Sequence, residues 1–158
     1  PSPKQTVMTA PRAPMKEYLL VDGYNIIFAW DELRALAQKS LDLAREELIN
    51  RLCSFQAIKG CEIILVFDAY KVKQNPGSIE HIHNISVVYT KEAETADSYI
   101  EKTAHELAKN YRVRVATSDG TEQLIILGSG AVRLSARLFH AEVAEVEKQL
   151  REIIYGMS

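Results

Sequence analysis

The stretch IILVFD, Ile63 to Asp68, runs through five apolar residues and stops on an acid. A strand with one face in water alternates apolar and polar residues. An unbroken apolar run of this length reads instead as a strand covered on both faces, as in a parallel sheet packed between helices. Further strands are expected at Tyr18–Val21, Ile85–Tyr89 and Val113–Ala116. Between them the apolar period lengthens to that of a helix. Leu41 to Ile58 places Leu41, Ala44, Leu48, Leu52 and Phe55 on one stripe and ends at Lys59-Gly60. Thr95 to Asn110 aligns Ala96, Ile100, Ala104 and Leu107. A short helix capped by Ser118 or Asp119 is expected to run through Leu127, and a last one from Leu134 to Ile153. Lys71 to His83 reads as a polar loop with a turn at Asn75-Pro76-Gly77. Strands alternating with helices predict an α/β fold whose parallel sheet has helices on both faces.

The 158 residues suit one domain with a real core. Four of the five prolines, Pro1, Pro3, Pro11 and Pro14, lie in a segment without apolar period. Residues 1–16 are therefore expected to be a flexible tail or linker, and 17–155 the domain. A net charge of -2 argues against gripping nucleic acid by bulk charge. It leaves room for a local basic patch or a larger partner that delivers the substrate. Cys53 and Cys61 have no His or Cys neighbours at zinc spacing and are read as reduced thiols. No membrane span or signal segment is read, so a cytoplasmic protein is expected.

Ligands of open α/β sheets bind beyond the carboxyl ends of the strands. Acids stand there repeatedly: Asp22 after the first strand, Asp68 after the second, Asp119 after the fourth. Glu94 and Asp97, three apart, flank the start of the helix after the third. Each has an ordinary explanation alone. Asp119 can cap a helix, Asp97 can favour a helix dipole, Asp68 can be a loop acid and Asp22 a turn residue. Together they would converge on one edge, where like charges repel unless a cation joins them. An all-oxygen set suits Mg²⁺ or Mn²⁺, with no organic cofactor. The chemistry to expect is phosphodiester hydrolysis by in-line attack of a metal-activated water.

In order and spacing, VDGYN, VFDAY, ETAD and ATSDGTEQ resemble the NYN branch of the PIN-like nucleases. The likeness is to the YacP-like subgroup, which includes a ribosome-dependent messenger-RNA endonuclease, and it covers Tyr18 to Glu147. The resemblance implies a PIN-like three-layer α/β/α sandwich with a central, mostly parallel sheet, and an acidic pocket that cleaves single-stranded RNA. On it, Asp22, Asp97 and Asp119 look like metal-binding carboxylates, with Asp68 at the rim. Asn25 looks like the asparagine that orients a ligand, water or phosphate. Ser118 and Glu94 would act around this set, Glu94 either through another group or only as a surface acid. Relatives of this kind carry a longer basic C-terminal extension, whereas here the last helix is acid-rich, with Glu142, Glu145, Glu147 and Glu152. Delivery of messenger RNA by the ribosome is the expectation. Similar domains also occur behind translation GTPases of the ribosome-protection type, and the proline-rich start resembles such a linker.

Arg133, Ser135 and Arg137 fit the subgroup pattern, as phosphate contacts or as a structural ion pair. Lys71 and Lys73 are phosphate contacts or solvated surface. Tyr24 either stacks on a base or packs on the sheet edge. His81 and His83 are read as residues of a solvated loop, Gly23 as the residue of a tight turn. Two other functions compete. One is a non-catalytic RNA- or ribosome-binding module of the same fold. The other is an aspartyl phosphatase, which would need a second acid where Tyr24 stands.

Overall fold

The computed structural model describes residues 16–69, 73–118 and 130–156. Six strands form one sheet: β1 (Glu17–Asp22), β2 (Glu62–Phe67), β3 (Ser78–Ile82), β4 (Ile85–Tyr89), β5 (Arg112–Thr117) and β6 (Val132–Ser135). Their order is β3-β4-β2-β1-β5-β6, and every neighbouring pair is parallel except β3 with β4. Five helices are described: α1 (Gly23–Ala29), α2 (Asp31–Lys39), α3 (Leu41–Lys59), α4 (Ala96–Leu107) and α5 (Ala136–Gly156).

The apolar runs explain the layers. Leu19, Val21, Ile63, Leu65 and Phe67 point to one face and pack on Ile26, Leu33, Leu48, Phe55 and Phe139 from α1, α2, α3 and α5. Leu20, Val66, Val88 and Val115 point to the other and meet Ala96, Ile100 and Ala104 of α4. Alternation within each strand thus buries both faces, which gives the three-layer PIN-like α/β/α sandwich. The chain steps outward from β1 to β2 and β4, then crosses back to β5 on the far side of β1. The crevice where this order reverses opens between the carboxyl ends of β1 and β5.

Three expectations need correction. Ser78–Ile82 is not loop but an edge strand antiparallel to β4. Its polar sequence SIEHI is largely solvent-exposed, so no apolar alternation marked it. His81 lies on this strand, with Nδ1 3.2 Å from Ser86 Oγ, and only His83 occupies the turn, at φ 53°. Val132–Ser135, whose end was assigned to the last helix, is a strand paired with β5, and the helix begins at Ala136. Gly23 has no left-handed backbone. It is the buried first residue of α1, and a Cβ there would lie 2.4 Å from the Phe67 ring. Close approach, not a turn, is what requires glycine. The helices α1 and α2 between β1 and α3 had not been anticipated. The proline-rich segment 1–15, Lys71, Asp119, the short helix to Leu127 and Gly128-Ser129 lie outside the described residues.

Candidate active site

Parallel register brings the strand ends to one edge. Asp22 stands beside Val66 of β2, and Val21 beside Ala116 of β5. Asp22 closes β1 and is also the residue before α1, so its carboxylate sits at the positive end of that helix. It is 7 % exposed. Asn25, on the first turn of α1, spans the β1–β5 crevice. Its Oδ1 accepts from Thr117 Oγ1 at 3.1 Å and from both the backbone N–H and the hydroxyl of Ser118. This side chain fastens the end of β5 to the start of α1 across the topological switch.

The loop that begins at Asp68 is held at several points. Asp68 Oδ1 accepts from Ala96 N at 2.9 Å. The next residue is braced by Thr90, whose Oγ1 accepts from Ala69 N at 2.9 Å. Asn75 Nδ2 donates to Thr90 O at 2.9 Å and to Ala69 O at 3.3 Å, while its Oδ1 accepts from Gly77 N. The Asn75-Pro76-Gly77 turn was legible, but its role as a clamp on the acid after β2 was not. Thr90, 1 % exposed, carried no signal in the sequence at all. Thr95 Oγ1 accepts from Ser98 N at 3.1 Å and caps α4, so the exposed Asp97 sits in a fixed first turn.

Asp22, Asp68, Asp97, Asn25 and Ser118 line one cavity of about 430 Å³ together with Tyr24, Phe28 and Ala29. Among the described residues no lysine or arginine lines it. Tyr24 faces the cavity and packs as well. Its ring lies 5.0 Å from that of Phe67, and its hydroxyl accepts from Arg45 at 2.9 Å. Phe28, one turn further along α1, is 52 % exposed on the same wall and was missed by sequence reasoning. Spacing could have found it, since positions four apart share a helix face. Glu94 does not join this set: it pairs with Lys102 at 3.1 Å and lines a different cavity with Tyr99 and Lys91. Arg133, Ser135 and Arg137 line a neighbouring cavity that shares Ala29 and Ser118 with the acidic one.

This geometry is that of an acidic edge at the switch point of a PIN-like sheet. A model of the YacP-like NYN domain matches residues 19–157. The chain belongs to the YacP-like NYN domain family. It is 44% identical over 135 residues to the uncharacterized protein YacP of Bacillus subtilis (strain 168), covering 85% of this chain and 79% of that protein. Its structure is similar to the crystal structure of Rae1 (YacP) from Bacillus subtilis, with 41% identity and a TM-score of 0.76 over 89% of this chain and 80% of the other. A mutant form of the same protein gives 0.77 over 89% and 82%.

The donor set of this YacP-like site suits a hard divalent cation, being carboxylate and amide oxygen only. Among the described residues no three His, Cys, Asp or Glu side chains stand close enough to form a ready-made cage. Mg²⁺ does not require one, since it binds through one or two carboxylates and keeps several waters. Asp22 and Asp97 are the residues that would hold it. No described helix is long and apolar enough to cross a membrane.

Proposed function

We propose that the chain is a metal-dependent endoribonuclease that hydrolyses phosphodiester bonds of single-stranded RNA. The observation that supports it most is the arrival of Asp22, Asp68 and Asp97 from three separate segments in one cavity that no described lysine or arginine lines. Mg²⁺ or Mn²⁺, when bound there, supplies a water of lowered pKa and screens the phosphate charge. The chain's own residues do the rest. Asn25 keeps the crevice between β1 and β5 at fixed width. The Asp68–Ala96 hydrogen bond sets the height of Asp97. Phe28 offers an exposed ring for a base next to the reacting phosphate. Asp119, the acid after β5 in sequence, is assigned to the same set.

The substrate we assign is messenger RNA at the ribosome, in the cytoplasm. Net charge of -2 and an acid-rich α5 give the chain little general affinity for a polyanion, so a partner that presents the strand supplies what the surface lacks. The test is cleavage of a single-stranded RNA, free and on translating ribosomes, with Mn²⁺, Mg²⁺ or chelator. Cleavage that needs the cation and vanishes in Asp97→Asn supports the reading. RNA or ribosome binding without cleavage in any condition supports a non-catalytic binding module instead.

A further inference from the structure

The cavity beside the acidic one measures about 470 Å³ and has the opposite character. Arg133 comes from β6 and Arg137 from the first turn of α5. The acids on its wall are already engaged. Glu32 Oε2 accepts from Arg51 at 2.9 Å and lies 2.6 Å from His140 Nε2. Asp31 pairs with Arg34 at 2.6 Å. Neither meets Arg133 or Arg137, and neither arginine has an ion pair among the described residues. Arg133 Nε is buried without a hydrogen-bond partner among the described residues. Buried donors are nearly always satisfied, so an orphan on a cavity wall calls for a missing acceptor. The α5 start adds the positive end of a 21-residue helix with no acid in its first turn.

We propose that this cavity is a phosphate subsite, in which Arg133 and Arg137 bind the oxygens of the phosphate next to the scissile one in the same RNA strand. The inference rests on the ribonuclease reading. It deepens that reading by naming what lets an acidic centre take a polyanion. The two cavities meet at Ala29 and Ser118, so one strand can lie across both. The planar guanidinium suits phosphate oxygens as a pair of parallel donors, which a lysine would not reproduce. A chain held at this point has one phosphate fixed over Asp22 and Asp97.

The test uses a labelled single-stranded oligoribonucleotide bound in the presence of chelator, and a set of copies each carrying one neutral methylphosphonate linkage. The proteins are the full chain, Arg137→Ala, and Arg133→Met, which keeps an apolar stem in the partly buried position. Wild type should lose about tenfold in affinity when one particular linkage is neutralised, the size expected for a charge-assisted contact. Arg137→Ala should bind the unmodified strand about as weakly and be indifferent to that linkage. Its slope of log affinity against log salt should fall by about 0.7, one single-strand phosphate. Wild-type affinity in both variants, or a linkage effect that persists in them, overturns the subsite. A parallel cleavage assay with Mn²⁺ separates the two claims. Cleavage without the linkage effect leaves the nuclease and removes the subsite. The linkage effect without cleavage does the reverse. No binding of the free strand by wild type removes the subsite, and no cleavage on translating ribosomes removes the nuclease.

Discussion

Asp68 Oδ1 accepts a hydrogen bond from Ala96 N at 2.9 Å, so the acid after β2 anchors the helix turn that carries Asp97. The acid read from sequence at the rim of the pocket thus acts in series with the one read as a metal-binding carboxylate. Asp68→Ala should lower stability by about 1 kcal/mol, the usual effect of losing a helix cap, and slow RNA cleavage through Asp97. Asp68→Asn retains an acceptor and should keep most of both. Urea denaturation and cleavage rates for the pair decide the matter. Lost cleavage in Asp68→Asn at unchanged stability would mean that its charge is itself required.

Asp22→Asn and Asp97→Asn should each reduce cation-dependent cleavage by about 100-fold or more, because each removes a charge from the set that faces the phosphate. Both substitutions keep size and shape, and Asp97 is exposed. Thermal midpoints close to wild type are therefore expected. Undiminished cleavage in both variants would sink the assignment of the acidic cavity.

Gly23→Ala tests the approach of α1 to β2. The added Cβ would stand 2.4 Å from the Phe67 ring and 3.0 Å from Val66 O, and Phe67 is fully buried between Tyr24 and Tyr89. The ring cannot withdraw, so α1 must shift. A loss of about 1–3 kcal/mol is expected, as for other overpacked sites. Asn25 moves with α1, so cleavage should fall more than stability at a temperature where the variant remains folded. A variant as stable and as active as wild type would show that the helix is held less tightly than this contact implies.

Phe28→Ala should weaken single-stranded RNA binding by about 1–3 kcal/mol if its ring stacks on a base, with little change in folding stability because half the residue is already in water. Tyr24→Phe should leave RNA binding unchanged, removing only the hydrogen bond from Arg45. Fluorescence anisotropy with both variants checks the assignment. The reverse ranking would show that the Tyr24 hydroxyl, not the Phe28 ring, carries the contact with RNA.

Much of this was legible because hydrophobic burial writes itself into sequence. The run Ile63–Phe67 fixed a strand covered on both faces, and its acid fixed which end of the sheet mattered. What stayed hidden was held by polar groups. The edge strand Ser78–Ile82 buries almost nothing, so its backbone pairing with β4 has no apolar trace. Val132 is 61 % exposed, which left a four-residue strand indistinguishable from the helix after it. At the site, Asp22 and Asp97 could be chosen by position, but hydrogen bonds decided the rest. Asp68 was read at the rim of the pocket, which it lines, but its tie to α4 was not legible, and Asn75 and Thr90, which hold its loop, depend on contacts 15 or 21 residues apart. Charge likewise does not say where it points. Arg133 and Arg137 share a cavity, whereas Glu94 turns to Lys102.

Acid sensitivity should trace to Glu32, which joins α2 to α3 and α5. Burial pushes its carboxyl up, but hydrogen bonds from Arg51, its own backbone and His140 outweigh that and bring it down to about 2 from 4.5. Arg51 also pairs with Glu147 at 2.9 Å and lies over the Trp30 ring, so the cluster braces the wall of the arginine cavity. Because the folded pKa is depressed, the stabilisation is complete above pH 4.5 and is lost as pH falls towards 2. The side chain is 47 % exposed, so solvent screening reduces the effect to about 1 kcal/mol. Glu32→Gln should thus lower the urea midpoint at pH 7 and flatten its decline between pH 5 and 3. Equal declines in variant and wild type would place the acid sensitivity in other carboxylates and free Glu32 of this role.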